Sequence, residues 1–259
     1  MTAAHSSVVF LMYHELALPG RKLVQSEPGY VRYVLEASEF AAHMSAIADL
    51  GLRGVNVSQA LQFPANAVAV TFDDGCETDL LCAAPLLKQH GFGATFYVVA
   101  EWIGKPGFLS VNQLRELLQQ GFEVGCHSLT HAYLSDLDDA GLEREIIRAK
   151  VMLEEMLAAR VEHFSCPGGR NGARVQEFAK RAGFRTVATS VPQANTPATD
   201  RFSLGRVAMK RGLGLQSFRK VSQGRALWTT ELGGGLRDRA KRLLGNRAYD
   251  RVRSLILGK

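Results

Sequence analysis

The chain has 259 residues, of which 46% are hydrophobic and 22% charged, and its formal net charge is +6. This length and composition suffice for one sizeable core, and α/β barrels commonly fill such a length as a single domain. No apolar run reaches the length of a membrane span, and the four cysteines lack the spacing of a zinc knuckle and the density of a disulfide framework. These features exclude a membrane-embedded protein and a disulfide scaffold.

The pattern of residues 1–13 indicates a buried strand rather than a secretory signal. Residues 1–7 lack the basic start of a secretory signal, and the apolar run 8–13 is too short to serve as one. The expectation is therefore a cytoplasmic protein, unless a leader preceded this sequence. The run 8–13 instead predicts a strand that ends before His14, and the polar residues 16–28 predict a loop.

Adjacent carboxylates follow a later buried strand. The run 67–72 is apolar and β-branched, and Asp73, Asp74 and Gly75 come directly after it. Neighbouring acids repel each other, so this pair needs a cation or a division between a charged and a protonated form. A solvated turn after an ordinary strand is the alternative.

Two histidines follow another strand. The run 122–126 predicts a short strand that leads into His127-Ser128-Leu129-Thr130-His131. If the segment turns helically, both histidines point the same way. With a carboxylate from another strand they would form three ligands with an open position, which is typical of a catalytic zinc site. A pair of surface histidines is the alternative for this spacing alone.

Strand and helix patterns alternate along most of the chain. Helical patterns cover 38–50, 79–90, 111–120, 136–159 and 173–182, and strand patterns cover 94–100 and 184–190. This alternation favours a parallel sheet closed into a barrel, in which the strand ends converge on one face. A further strand runs from residue 164 into Pro167-Gly168-Gly169-Arg170, and backbone N–H groups in such a turn can bind an oxyanion.

These residues resemble the polysaccharide deacetylases of carbohydrate esterase family 4. Thr71-Phe72-Asp73-Asp74-Gly75 is similar to the first motif of that family and the segment 127–131 to its second, within a resemblance that runs from about residue 8 to about residue 210. The resemblance implies an irregular (β/α)7-type barrel in a single domain. It also implies that Asp73 is the catalytic base and that Asp74, His127 and His131 bind a divalent metal.

Other positions depart from the family pattern. Gly168 holds the place of the oxyanion-binding N–H, although a tyrosine is usual there, and Ser165 stands where an arginine usually braces the base. Arg170 is the candidate to brace Asp73 or to meet an acidic part of the substrate, and a surface residue is the alternative. The family's fourth, tryptophan-bearing motif has no match, so the wall of the acetyl pocket is unassigned.

The position of the general acid indicates a branch of the family. A second catalytic histidine usually comes late in the chain, but no histidine follows His163. The resemblance is therefore closest to the circularly permuted branch, in which the last strand has moved to the N-terminus. His14 is the predicted general acid, with a structural role as the alternative.

The resemblance implies hydrolysis of an N-acetyl group on an amino sugar in a poly- or oligosaccharide, for example a lipid-linked exopolysaccharide or a cell-envelope precursor. Zinc is the expected metal, with Co²⁺, Ni²⁺ and Mn²⁺ as alternatives. Tyr30 and Tyr33 are candidates to line the sugar site, unless they pack in the core. The same site would also suit an O-acetyl esterase or a cyclic-amide hydrolase. A membrane- or saccharide-binding protein with a vestigial site is the alternative from another class.

The C-terminal part is strongly basic. From residue 201 onwards there are fifteen Lys and Arg and three Asp and Glu, a net charge of +12. We predict a barrel over residues 1–210 and a basic, helical extension over 211–259. Apolar residues spaced among arginines at 236–257 predict peripheral contact with the anionic inner face of a membrane. A basic face that packs on the barrel is the alternative, and nucleic acid is not expected as a partner.

Overall fold

The computed structural model describes residues 7–227 of the chain. The predicted membrane contact at 236–257 lies outside these described residues. Within residues 7–227, none of the helices combines the length and the hydrophobicity of a transmembrane segment.

Eleven strands are found in residues 7–227. They are β1 (Val8–Tyr13), β2 (Leu16–Ala17), β3 (Leu35–Glu36), β4 (Arg53–Val55), β5 (Ala67–Phe72), β6 (Thr95–Val98), β7 (Glu123–Cys126), β8 (His163–Ser165), β9 (Thr186–Ala188), β10 (Ala194–Asn195) and β11 (Val207–Ala208). All residues of β1 and β5 are buried, which is why both read as continuous apolar runs in the sequence.

The main sheet is parallel and curls into a barrel-type fold. Strands β1, β5, β6, β7, β8 and β9 follow one another in parallel pairs. On the other side of β1 lies β11, also parallel, and Leu204 just before it forms a parallel bridge with Ala188 of β9. The segment 204–208 therefore joins the two edges of the sheet. The predicted barrel-type fold in a single domain is confirmed.

Helices cover the outside of this sheet. They are α1 (Pro28–Val31), α2 (Ala37–Asp49), α3 (Val57–Ala60), α4 (Ala84–Gln89), α5 (Val111–Gln119), α6 (Asp139–Leu142), α7 (Ala149–Leu157), α8 (Ala173–Arg181) and α9 (Leu215–Ser222). A π-helical turn, Asp79–Ala83, precedes α4, and a second one, Glu143–Arg148, joins α6 to α7. The long helix predicted over 136–159 therefore begins at Asp139 and contains a π-helical turn.

The packed body of the protein extends past the predicted boundary at residue 210. Phe218, Val221 and Leu227 lie in the same hydrophobic core as the strands of the barrel. The ring of His43 on α2 stacks on Phe218, with the ring centroids 3.7 Å apart. The apolar side of the basic helix α9 thus faces the barrel, and residues 211–227 belong to the core rather than to a separate extension.

Candidate metal centre and active site

Four ionisable side chains follow directly after parallel strands. His14 follows β1, Asp73 and Asp74 follow β5, and His127 follows β7. The register of β1 and β5 places His14 and Asp73 at the same level. The Asp73 N–H also donates a hydrogen bond to the carbonyl oxygen of Tyr13 at 2.9 Å. The four side chains therefore meet on the face of the barrel where the strands end.

Asp74, His127 and His131 form a group whose ligand atoms all lie within 4.8 Å of one another. Oδ1 of Asp74 is 3.6 Å from Nε2 of His127 and 3.5 Å from Nε2 of His131. This Oδ1 is buried and has no hydrogen-bond partner among the described residues. A buried oxygen left without a partner is costly, and a cation would supply the missing interaction. One carboxylate and two imidazoles are also the donors of many catalytic zinc sites, so these residues fit a divalent metal.

The protonation of the two imidazoles suits this role. Nδ1 of His127 lies 2.8 Å from the carbonyl oxygen of Ser165. Because a carbonyl oxygen only accepts, Nδ1 carries the proton and Nε2 keeps a lone pair. Burial lowers the pKa of His127 to about 3 and also lowers the pKa of His131. Both imidazoles are therefore neutral at neutral pH, as metal ligands must be.

The segment between the two histidines is not the helical turn considered from the sequence. Ser128 and His131 both have a φ angle of 68°, in the left-handed region. The His131 N–H donates to Oγ of Ser128 at 3.0 Å. The predicted ligands come together through this tight loop instead of through helical spacing.

The carboxylate of Asp73 is held by an arginine that the sequence analysis missed. NH1 and NH2 of Arg206 each donate to one oxygen of Asp73 at 2.7 Å, and NH2 also donates to Oγ of Ser165 at 2.7 Å. Arg206 is completely buried, and its Nε donates to the carbonyl oxygen of Thr189 at 3.0 Å. Burial alone would raise the pKa of Asp73, but the charge and hydrogen bonds of Arg206 hold it well below its usual range.

The adjacent carboxyl behaves differently. Burial raises the pKa of Asp74 to about 6, and the negative charge of Asp73 acts in the same direction. The two neighbouring acids therefore differ, as expected from their repulsion: Asp73 stays ionised at low pH, whereas Asp74 takes up a proton more readily and would be stabilised as an anion by a cation. One sequence signal points to Arg206, because it is the single charged residue in the run 204–209.

Arg170 does not brace Asp73, which was one of the roles considered for it. The guanidinium of Arg170 lies over the ring of Tyr133, 3.5 Å from its centroid, and NH1 is 3.5 Å from Oδ2 of Asp136. The small side chain of Ser165 accepts a hydrogen bond from the true partner, Arg206, which comes from the segment that closes the barrel.

The three predicted residues of the N-terminal segment differ in their surroundings. Nδ1 of His14 is buried without a hydrogen-bond partner among the described residues, and the His14 ring lies 5.1 Å from that of Tyr33. Tyr33 therefore contacts the candidate acid. The Tyr30 hydroxyl donates to Oε2 of Glu15 at 3.0 Å and lies 3.5 Å from Sγ of Cys76. Tyr30 thus anchors helix α1 to the segments that carry Glu15 and Cys76.

Gly168 lies in a short 3₁₀ turn, Pro167–Gly169, directly after the strand that carries Ser165. Its φ angle is 61°, and an added Cβ would lie 2.9 Å from Cε1 of Tyr133. Its N–H has no hydrogen-bond partner among residues 7–227. Both the backbone angle and the neighbouring ring therefore require glycine here, and they explain why the usual tyrosine is absent.

Comparisons with known proteins agree with this site. The family model described as polysaccharide deacetylase matches residues 60–187, which include Asp73, Asp74, His127 and His131. YxkH of Bacillus subtilis is 25% identical over 224 residues, 84% of this chain and 76% of that protein. The peptidoglycan-N-acetylglucosamine deacetylase of Bacillus cereus is 32% identical over 121 residues, 46% of this chain and 54% of that enzyme.

The fold has solved counterparts as well. The Streptococcus pyogenes deacetylase PplD, determined in complex with acetate, superimposes with a TM-score of 0.74 at 20% identity, over 84% of this chain and 99% of that one. The matched family and the relatives define one class of enzyme, the carbohydrate deacetylases. The chain belongs to the polysaccharide deacetylase family, carbohydrate esterase family 4.

Proposed function

We propose that this protein is a metal-dependent hydrolase that removes N-acetyl groups from amino sugars in a poly- or oligosaccharide. The observation that carries the proposal is the unpartnered, buried Oδ1 of Asp74 between two neutral histidines, beside a carboxylate that Arg206 keeps ionised. A carboxylate base next to a metal-binding group is the arrangement that hydrolysis of an unactivated amide requires.

Each side chain has a distinct task in the proposed reaction. Asp74, His127 and His131 would hold a divalent metal, which would supply Lewis-acid chemistry by polarising the acetyl carbonyl group and lowering the pKa of water. Asp73 accepts the proton of the attacking water, since Arg206 keeps this carboxylate charged.

The other two predicted groups act on the tetrahedral intermediate and its collapse. The free N–H of Gly168 donates a hydrogen bond to the oxyanion. His14 donates a proton to the departing amine nitrogen, and its level with Asp73 in the register supports this role. The products are acetate and a sugar with a free amine.

The donor set supports zinc as the metal, with Co²⁺, Ni²⁺ and Mn²⁺ as alternatives. The relative that acts on peptidoglycan N-acetylglucosamine supports an acetylated amino sugar as the substrate. The lipid-linked exopolysaccharide or envelope precursor considered from the sequence is one form of such a glycan.

The direct test is acetate release from chitooligosaccharides of graded length and from O-acetylated sugars. The protein is stripped with a chelator, and each of the four metals is then restored separately. Acetate from N-acetyl substrates should appear only after metal is restored. Acetate from esters alone would favour an esterase. Stoichiometric metal binding without acetate from any amide or ester would contradict the proposal.

We also propose a cytoplasmic location with peripheral membrane contact through residues 236–257. The support is the +12 charge after residue 200 and the apolar residues among these arginines. Each basic residue near an anionic surface contributes on the order of 1 kcal/mol. Co-sedimentation with liposomes should require anionic lipid, weaken with salt and disappear when residues 236–259 are removed. Failure of the intact protein to bind anionic liposomes at low salt would overturn this proposal.

A further inference from the structure

His131 differs from the other two candidate ligands in how it is held. Asp74 and His127 lie at strand ends and their side chains are almost completely buried, whereas the side chain of His131 is 31% exposed. His131 comes four residues later, in a loop with two left-handed backbone positions, at Ser128 and at His131 itself. Neither a strand nor deep burial fixes this imidazole, so other contacts must do so.

A buried carboxylate holds the backbone of this loop. Glu145 is only 2% exposed and lies on the π-helical turn Glu143–Arg148. Its Oε2 accepts the N–H groups of Leu129 at 3.1 Å and of Thr130 at 2.9 Å. Its Oε1 accepts the hydroxyl of Thr130 at 2.7 Å. All three contacts fall within the two residues that precede His131.

A second element holds the loop from the other side. We call residues 100–109 the strap. At its beginning, the Ala100 N–H donates to the carbonyl oxygen of Ser128 at 3.1 Å, and the Glu101 N–H donates to that of Leu129 at 2.9 Å. The next residue, Trp102, stacks its ring on that of His131, with centroids 5.2 Å apart and planes at 30°.

The other end of the strap binds the loop that follows Asp74. The Leu109 N–H donates to the carbonyl oxygen of Gly75 at 2.9 Å, and the Glu77 N–H donates to that of Gly107, also at 2.9 Å. The strap therefore connects the segment that carries the carboxylate ligand to the loop that carries His131. It spans the two sides of the metal group without contributing a ligand.

We propose that Glu145 and Trp102 are positioning residues for the metal: Glu145 fixes the loop backbone, and Trp102 fixes the ring of His131. This inference rests on the proposed metal binding. Neither residue contributes a ligand atom, and neither lies in the segments 71–75 and 127–131 that carry the ligands. Outer contacts of this kind typically change metal affinity 10- to 100-fold when they are removed.

Glu145→Gln tests the first half with little change in shape. A glutamine keeps one acceptor oxygen, but its NH₂ group replaces the other. That NH₂ group would face an N–H or O–H donor of the loop and could not accept its hydrogen bond. The affinity for Zn²⁺, measured by competition with a chromophoric chelator, should fall about 10- to 100-fold. Glu155→Gln is the matched control, because Glu155 is exposed on the neighbouring helix α7 and should bind Zn²⁺ like the parent.

Thr130→Val removes only the hydroxyl that donates to Glu145. Because Thr130 is exposed, this variant should fold even if Glu145→Gln does not, and it tests the same contact. Its Zn²⁺ affinity should fall in the same direction as that of Glu145→Gln, but by less, because the two backbone contacts remain. Thermal unfolding of each variant separates a loss of affinity from a loss of the fold.

Trp102 offers a spectroscopic readout. Co²⁺ bound beside a stacked indole should quench its fluorescence at one equivalent, and Trp102→Phe should abolish most of this quenching. Trp228, the only other tryptophan, provides the control, since Trp228→Phe should leave the quenching in place. Trp102→Phe should retain most of the Zn²⁺ affinity because it keeps an aromatic ring, whereas Trp102→Ala should weaken it about 10-fold or more.

Parent-like Zn²⁺ affinity in folded Glu145→Gln and Trp102→Ala variants would overturn the inference. These readouts need no substrate, so they separate the two proposals. If the parent protein binds metal but releases no acetate, only the proposed function fails. If the parent protein binds none of the four metals, both fail.

Discussion

Strand β7 begins with one ionisable side chain, Glu123, and is followed by another, His127, so the two ends of the barrel can be compared along a single strand. At the start of the neighbouring strand, Nε2 of His163 lies 2.9 Å from Oγ of Ser58 and 3.4 Å from Oε1 of Glu123, and its Nδ1 lies 2.9 Å from Oγ1 of Thr186. Both nitrogens of this buried histidine have partners.

At the opposite end of the barrel, some side-chain atoms of the same residue types have no hydrogen-bond partner. Oδ1 of Asp74 and Nδ1 of His14 are buried and have no hydrogen-bond partner among the described residues. Both ends contain histidines and carboxylates, but His163 has partners on both ring nitrogens, whereas Asp74 and His14 each keep a buried atom available for a ligand. The state of these atoms, rather than the residue types, distinguishes a reactive site from a structural network.

Removing the unpartnered Oδ1 of Asp74 should have the largest effect on the difference between the two ends. Asp74→Ala should lose stoichiometric metal, and acetate release should fall to background, because two imidazoles alone form an incomplete site. Metal content and acetate release are measured together. Glu123→Gln, the matched change at the other end, should keep its metal. An Asp74→Ala variant with a full complement of metal and turnover would refute the ligand assignment.

Arg206→Met tests the buried ion pair that keeps the base charged. It should lower the free energy of unfolding by about 3–5 kcal/mol, because Asp73 is left buried without its cation. In the parent, the depressed pKa of Asp73 contributes stability that is present above its unfolded value and is lost as the pH falls through the folded value.

In the Arg206→Met variant, burial without the guanidinium raises the pKa of Asp73. The stability difference from the parent should therefore shrink as the pH falls, which urea unfolding at several pH values will measure. The acidic limb of kcat/KM should also move to higher pH. Arg206→Lys keeps the charge and should show a smaller shift. An unchanged pH profile in Arg206→Met would contradict the role given to this pair.

His14→Ala removes the other unsatisfied group. Turnover should fall about 100-fold or more, the usual scale for loss of a proton-transfer group, while the metal remains bound. The measurement is kcat in parallel with metal content. If turnover were unchanged, His14 would be structural, and its unpartnered Nδ1 would not mark a reactive group.

His163→Gln should have the smallest effect on chemistry. It disturbs a satisfied network, so we expect a loss of about 1–3 kcal/mol in the free energy of unfolding. Metal affinity and kcat should match those of the parent. A selective loss of metal or turnover, without a change in stability, would show that the structural end communicates with the site.

The sequence was most informative where position along the chain determines position in space. A residue that directly follows a buried strand must lie at the strand's end, so His14, Asp73, Asp74 and His127 could be placed together without coordinates. The same reasoning did not reach Arg206, because it lies 133 residues from Asp73 and on the segment that closes the barrel. Only the register of that segment against β1 brings the two together.

Local contacts decided two points that the sequence had left open. Arg170 was a candidate to brace Asp73 because Ser165 replaces the arginine that is usual there, but the ring of Tyr133 and the carboxylate of Asp136 hold its side chain elsewhere. The boundary at residue 210 followed the end of the family resemblance, close to the change in charge after residue 200. Charge describes only the solvent side of helix α9, whereas its apolar side determines where it packs. Composition alone could not reveal that division between two sides of one helix.

The closing segment also has a consequence for synthesis. A chain leaves the ribosome from its N-terminus, so Asp73 and Asp74 emerge long before Arg206. Until then the two carboxylates stand side by side without the guanidinium, and the edges of the sheet at β1 and β9 are unjoined. A nascent chain that ends before Arg206 should therefore remain open and unable to bury its base. The segment 204–208 therefore closes the sheet and pairs the proposed base, Asp73, in the same folding step.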